Sequence, residues 1–120
     1  MVDTEQVRRL ALGLPQASDD SAPDRLAFSV GGKGFAWSYL VRLAPKKPRV
    51  PRIDVLAVRC PIERKEMLIE AAPETFFDDD HYRGYPAVLV RLAAIGEDEL
   101  TGLLRDAWRL QAPKGLKLAD

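Results

Sequence analysis

The stretch Val30 to Trp37, "VGGKGFAW", decides the fold, because three glycines around one lysine suit either a phosphate cradle or the tip of a β-hairpin. A phosphate-binding loop needs G-x-x-x-x-G-K-[ST] running into a helix, where backbone N–H groups and a hydroxyl hold the anion. Here Lys33 is followed by Gly34 and Phe35, and the chain continues in a strand pattern. A dinucleotide fingerprint fails for the same reason, since it too must open a helix. Gly31 and Gly32 instead fit the two central positions of a tight hairpin turn, where positive φ is required and glycine supplies it. Lys33 then sits at an exposed tip.

The flanking residues agree with a hairpin. Leu26, Phe28 and Val30 alternate with Ala27 and Ser29 before the turn, and Phe35, Trp37, Tyr39 and Val41 alternate with Ala36, Ser38 and Leu40 after it. Upstream, Asp3 followed by Gln6 resembles a capping box, and Val7, Leu10, Ala11 and Leu14 make one apolar stripe that Gly13 and Pro15 terminate. The polar residues from Gln16 to Asp24 read as a loop. Downstream, "RLAPKKPRVPR" from Arg42 to Arg52 holds three prolines and five basic residues, which predicts a protruding loop or an extended wing.

A third strand is expected from Ile53 to Arg59, then a helix from about Ile62 to Ala72 that buries Ile62, Met67, Leu68, Ile69 and Ala71. Phe76 and Phe77 are anchors in a stretch that can hold a short strand, and "AVLVRL" from Ala87 to Leu92 is apolar and β-branched enough for another. The last helix runs from about Glu97 to Gln111 and ends at Pro113. The order α-β(3)-α-β(2)-α, with short connections, predicts an α+β fold of two layers, an antiparallel sheet covered by helices. At 120 residues the chain reads as one domain spanning 1–120.

Composition narrows the function classes. No apolar run approaches the roughly 20 residues of a membrane span, and the N-terminal stretch carries acids where a signal peptide needs basic residues. A cytoplasmic location with no membrane partner is therefore expected. The 18 basic residues balance the 18 acidic ones, but the charge is uneven. From Lys33 to Lys65 nine basic residues face only Asp54 and Glu63.

The single cysteine, Cys60, and the single histidine, His81, limit catalysis and metal binding. Cys60 precedes a helix, where a thiol can be activated, but a lone free cysteine more commonly serves as a small buried hydrophobe. Asp78, Asp79 and Asp80 cannot all converge from an extended chain, which favours a solvated acidic turn over a cation site. No catalytic residue, metal ligand or cofactor is assigned, and the chain reads as a non-enzymatic binding module. Its nucleic-acid-binding candidates are Lys33, Arg42, Lys46, Lys47, Arg49 and Arg52, provided the hairpin tip and the wing share an edge. The competing reading is that charges and prolines merely blunt an exposed sheet edge. Trp37, His81, Tyr82 and Tyr85 are candidates for a ligand or interaction surface.

Several segments taken together resemble the MmcQ/YjbR family of small bacterial proteins. They are the G-G-K-x-F-A hairpin (Gly31 to Ala36), the R-C-P step (Arg59 to Pro61), the H-Y-x-G-Y-P segment (His81 to Pro86) and the D-E-L to A-P-K end (Asp98 to Lys114). The resemblance implies a secretion-chaperone-like fold in the same α-β(3)-α-β(2)-α order. It also implies DNA binding, for which the basic loop would make mainly sequence-independent, salt-dependent phosphate contacts. Two alternatives stand beside that expectation. One is a protein-interaction or chaperone-like domain, including a homodimer, that uses one face of the aromatic strand. The other is a small-molecule site near His81, Tyr82 and Trp108.

Overall fold

The computed structural model describes residues 1–42 and 45–116, with the Arg42 side chain outside the described set. Helix α1 (Thr4–Leu12) begins where Asp3 and Gln6 cap each other reciprocally: the Gln6 backbone N–H donates to the Asp3 carboxylate at 2.8 Å, and the Asp3 N–H donates to Gln6 Oε1 at 2.9 Å. Strands β1 (Ser18–Asp19), β2 (Ala27–Val30), β3 (Lys33–Arg42) and β4 (Arg49–Arg59) follow. Helix α2 (Ile62–Ala71), strands β5 (Phe76–Phe77) and β6 (Ala87–Arg91), and helix α3 (Glu97–Gln111) complete the chain. The six strands form one antiparallel sheet in the order β1-β2-β3-β4-β6-β5.

The hairpin reading of the glycines holds. Val30 pairs with Lys33, and Gly31 and Gly32 adopt φ of 58° and 80°. Gly31 is constrained a second time, because a Cβ there would stand 2.7 Å from Pro113 Cγ, just past α3. One short strand was not expected: Ser18 and Asp19, within the predicted loop, pair with Ser29 and Phe28. Two residues carry too little pattern to be told from a turn, and only the free edge of β2 makes them a strand.

The helices cover one face of the sheet. Phe28, Val30, Leu56, Val58, Val88 and Val90 pack there against Val7 and Ala11 of α1 and Leu100, Leu104 and Trp108 of α3. The other face carries Tyr39, Val55, Ala57 and Leu89, with Trp37 and Phe77 at its margin, and Tyr82 packs over it.

Simple alternation would put Phe35 on the same face as Trp37 and Tyr39. It does not, because Ser29 pairs with Gly34 while Phe28 pairs with Ala36, so Phe35 is an extra residue in a β-bulge. One added residue inverts the phase of everything after it. Phe35 and Ala36 are therefore both buried on the helix side, and Trp37 and Tyr39 turn to the opposite face.

Helix α2 also departs from the pattern read in the sequence. Ile62 and Met67 are exposed, 40% and 69%, while Leu68 and Ile69 lean on the core and Lys65 is buried at 2%. Ile62, Lys65 and Ile69 share a helical stripe, and the lysine, with partners described below, takes its buried position. Trp108, expected near His81 and Tyr82, belongs instead to the helix-side core, where its indole N–H donates to the Pro15 carbonyl at 2.9 Å.

Because Trp108 is 1% exposed and ties α3 to the end of α1, Trp108→Ala should destabilise the protein by about 3–5 kcal/mol, measured by urea denaturation. A loss below about 1 kcal/mol would show that the helices do not depend on that anchor.

Candidate functional site

The sheet face away from the helices is built from aromatic rings. Trp37 and Tyr39 come from β3, Phe77 from β5, and Tyr82 and Tyr85 from the segment 78–86 that leaves β5 and returns to β6. Phe77 meets Tyr39 edge-on with centroids 6.0 Å apart, Tyr39 lies 5.8 Å from Tyr82, and Tyr82 lies 6.0 Å from Tyr85. Tyr85 in turn meets the Trp37 ring edge-on at 6.4 Å, and His81 meets Tyr82 at 5.1 Å. Edge-to-face packing of this kind adds to the value of the buried area itself.

Polar contacts fix the rings. The Trp37 indole N–H donates to the Tyr82 hydroxyl at 3.1 Å, and the Tyr39 hydroxyl donates to the Asp79 carboxylate, which also accepts the Tyr82 backbone N–H at 2.8 Å. Burial, reinforced by the hydrogen bond and charge of Asp79, pushes the Tyr39 hydroxyl pKa up to about 12. Burial likewise raises that of Tyr82.

The segment 78–86 is held from the helix layer by Lys65. Its ammonium donates to the carbonyls of Tyr82 (2.7 Å) and Tyr85 (3.1 Å) and pairs with the Asp78 carboxylate at 3.0 Å. The three consecutive aspartates thus point to different partners: Asp78 to Lys65, Asp79 to Tyr39 and Tyr82, and Asp80 to Arg83 at 2.7 Å. Among the described residues no group of three or more acids, histidines or cysteines is placed to hold a metal ion. Cys60 is buried, and burial pushes its thiol pKa up, away from a reactive thiolate.

Two concave surfaces flank the exposed part of the rings. Trp37, Leu40, His81, Tyr82 and Tyr85 line a cleft of about 320 Å³, which brings together the four residues singled out as a ligand or interaction surface. Beyond Trp37 and Tyr85 a second cleft, about 540 Å³, is lined by Lys33, Gly34, Arg59 and Gln111 as well. The Arg59 guanidinium lies over the Tyr85 ring, 5.1 Å from its centroid. In the sequence Arg59 counts among the basic residues and in the R-C-P step, and neither places it at a site. Its period-two relation to Ala57 and Val55, on the aromatic face, was the available signal.

The basic segment takes the extended-wing form of the two read from the sequence. Tyr39 to Arg42 pair with Arg52 to Arg49, lengthening β3 and β4 past the sheet, and Ser38 pairs with Leu56, so Ile53, Asp54 and Val55 bulge where the ribbon departs. Lys46 and Lys47 are exposed at the tip, with Lys46 at a φ of 67°. Arg49 reaches the Leu40 carbonyl at 3.4 Å, and Arg52 is bound to Asp54, which offsets its charge. Arg42 contributes backbone pairing, its side chain being outside the described residues. Lys33 does not join them. It stands at the other end of β3, and nine steps of strand are on the order of 30 Å.

The two-layer architecture, six-stranded antiparallel sheet and projecting ribbon define a class of small α+β domains shared with known proteins. Residues 12–110 match the YjbR family model, and the chain belongs to that family. Uncharacterised proteins of Mycobacterium tuberculosis and Mycobacterium bovis are 36% identical over 123 residues, covering 97% of this chain and 93% of theirs. A Deinococcus radiodurans protein of known structure superposes with a TM-score of 0.70 at 23% identity, covering 98% of this chain and 83% of its own. A Pseudomonas syringae protein does so with a TM-score of 0.64 at 16% identity, covering 92% of this chain and 99% of its own. These structures share the fold. Neither the family description nor these proteins' names specify an enzymatic reaction. No described helix is long and apolar enough to cross a membrane.

Two outcomes test the construction of this face. Lys65→Met leaves a carboxylate and two carbonyls without their donor, and should cost about 3 kcal/mol in urea denaturation; a loss under about 1 kcal/mol, as for a surface pair, would mean the clamp is dispensable. The raised Tyr39 pKa means that the unfolded chain gives up this proton first as pH rises. Stability present below pH 10 should fall between 10 and about 12, and Tyr39→Phe should flatten that part of the profile. Identical slopes in the two proteins would contradict the assignment.

Proposed function

We propose that the protein is a non-enzymatic binding module that contacts the phosphate backbone of DNA through the ribbon formed by β3 and β4. One observation carries the reading. Among the described residues, Tyr39 to Arg42 and Arg49 to Arg52 pair with each other and with no other strand, so the ribbon leaves the sheet with both of its edges unpaired. No acidic residue lies between Arg42 and Arg52, while Lys46, Lys47 and Arg49 stand at or beside the tip.

A two-stranded ribbon of this width can enter or lie along a groove, and Pro45, Pro48 and Pro51 stiffen its turn and returning strand. Arg52 is paired with Asp54, which offsets its charge. Phosphate contacts carry no base information, so the binding is sequence-independent.

Three contacts predict a steep but limited salt dependence. Affinity for a generic fluorescent duplex should fall roughly 40-fold between about 50 and 200 mM salt, from the counterion-release slope for three phosphates. The triple change Lys46→Glu, Lys47→Glu and Arg49→Glu should abolish binding at the lower salt. Anisotropy titrations that give the same affinity for parent and triple variant would overturn the reading.

A further inference from the structure

We infer that the cleft between Lys33, Gly34, Trp37, Arg59, Tyr85 and Gln111 is a nucleotide site, taking a planar base against the aromatic rings and its phosphate between the two cations. The site stands at the opposite end of β3 from the ribbon.

No carboxylate lines this cleft, and among the described residues neither Lys33 nor Arg59 has an acidic partner. Seven arginines elsewhere pair with a carboxylate, as Arg9 does with Glu97 at 2.6 Å and Arg64 with Asp106 at 2.8 Å. Arg59 is also short of hydrogen-bond partners, since its Nη1 is buried without one. Two cations without an acidic partner on one concave wall attract an anion.

With its N–H committed to Tyr82, Trp37 has only its π surface left to offer a ligand, and Tyr85 is 42% exposed. Gly34 keeps that surface bare. Its φ is not in the left-handed region, so the backbone does not demand glycine there; a Cβ would lie 3.8 Å and 3.9 Å from two carbons of the six-membered indole ring. A larger side chain would cover the ring. The Gln111 amide is held in place by donating to the Gly34 carbonyl at 3.0 Å, closing the cleft from α3.

An aromatic platform beside unpaired cations is the combination that holds a stacked base and its phosphate, and about 540 Å³ lies within the size range of small-molecule sites. The same chemistry is offered by a free mononucleotide and by an unpaired residue of a single strand.

The test is equilibrium titration of the full chain with AMP and separately with a short oligodeoxyadenylate, followed by tryptophan fluorescence. Trp108 is buried in the helix-side core and serves as a constant background. Saturable quenching below about 1 mM is expected. Lys33→Gln and Gly34→Val should each weaken it roughly tenfold, the scale of one lost stack or phosphate contact, with Arg59→Gln acting in the same direction. Lys33 and Gly34 are exposed, so their variants keep the test valid even where Arg59→Gln disturbs Tyr85. Equal quenching by both probes at equal concentration identifies a free-nucleotide site, and quenching by the oligomer at concentrations where AMP gives none identifies a single-strand site.

The ribbon variant with Lys46, Lys47 and Arg49 changed to Glu should retain the signal, which separates this site from duplex binding by the ribbon. No saturable quenching by either probe would overturn the inference. So would quenching that survives Lys33→Gln and Gly34→Val, or that disappears only in the ribbon variant.

Discussion

A buried ammonium organises this protein. Lys65 carries a charge into a site 2% exposed, and such a charge is tolerated only where it is fully coordinated. Two carbonyls and a carboxylate of the segment 78–86 provide that coordination. The segment is thereby held from helix α2 while its tyrosines pack on the opposite sheet face. Without a donor at this position, the chain between β5 and β6 would have little reason to lie where Tyr82 meets Tyr39 and Trp37.

Strand β3 is the other organiser, through two irregularities. The bulge at Phe35 rotates the strand's phase so that both Phe35 and Ala36 feed the helix-side core, freeing Trp37 for the other face. The shift after Ser38 detaches the ribbon from its sheet neighbours. Between these breaks the strand is an ordinary member of the sheet. Beyond them it presents Lys33 at one end and the basic ribbon at the other, two positive regions that the sequence places close together and the strand's length holds apart.

Local signals were legible where the physics is local. The capping pair Asp3 and Gln6, the glycines of the hairpin and the stripe of α3 all depend on neighbours within a few residues, and each was found with near-correct bounds. The gathering of Trp37, His81, Tyr82 and Tyr85 was legible as a set of candidates, although the hydrogen bond from Trp37 to Tyr82 spans 45 positions. Lys65 was not legible as a core residue, because a lysine on an apolar stripe reads as an interruption until its partners, 13 to 20 positions away, are known.

The amino-acid sequence by itself determined the class of fold, the order of its main elements apart from the short β1, the hairpin at Gly31 and Gly32, the excess of basic residues around the wing and the family. Each is carried by periodicity, turn chemistry or motif, which are written along the chain. The tertiary structure alone decided which face each aromatic ring occupies, that Lys33 belongs with Arg59 rather than with the wing, and that a lysine enters the core. Those outcomes turn on one-residue shifts in strand pairing and on charges meeting across distant segments, and neither is encoded in any single stretch of residues.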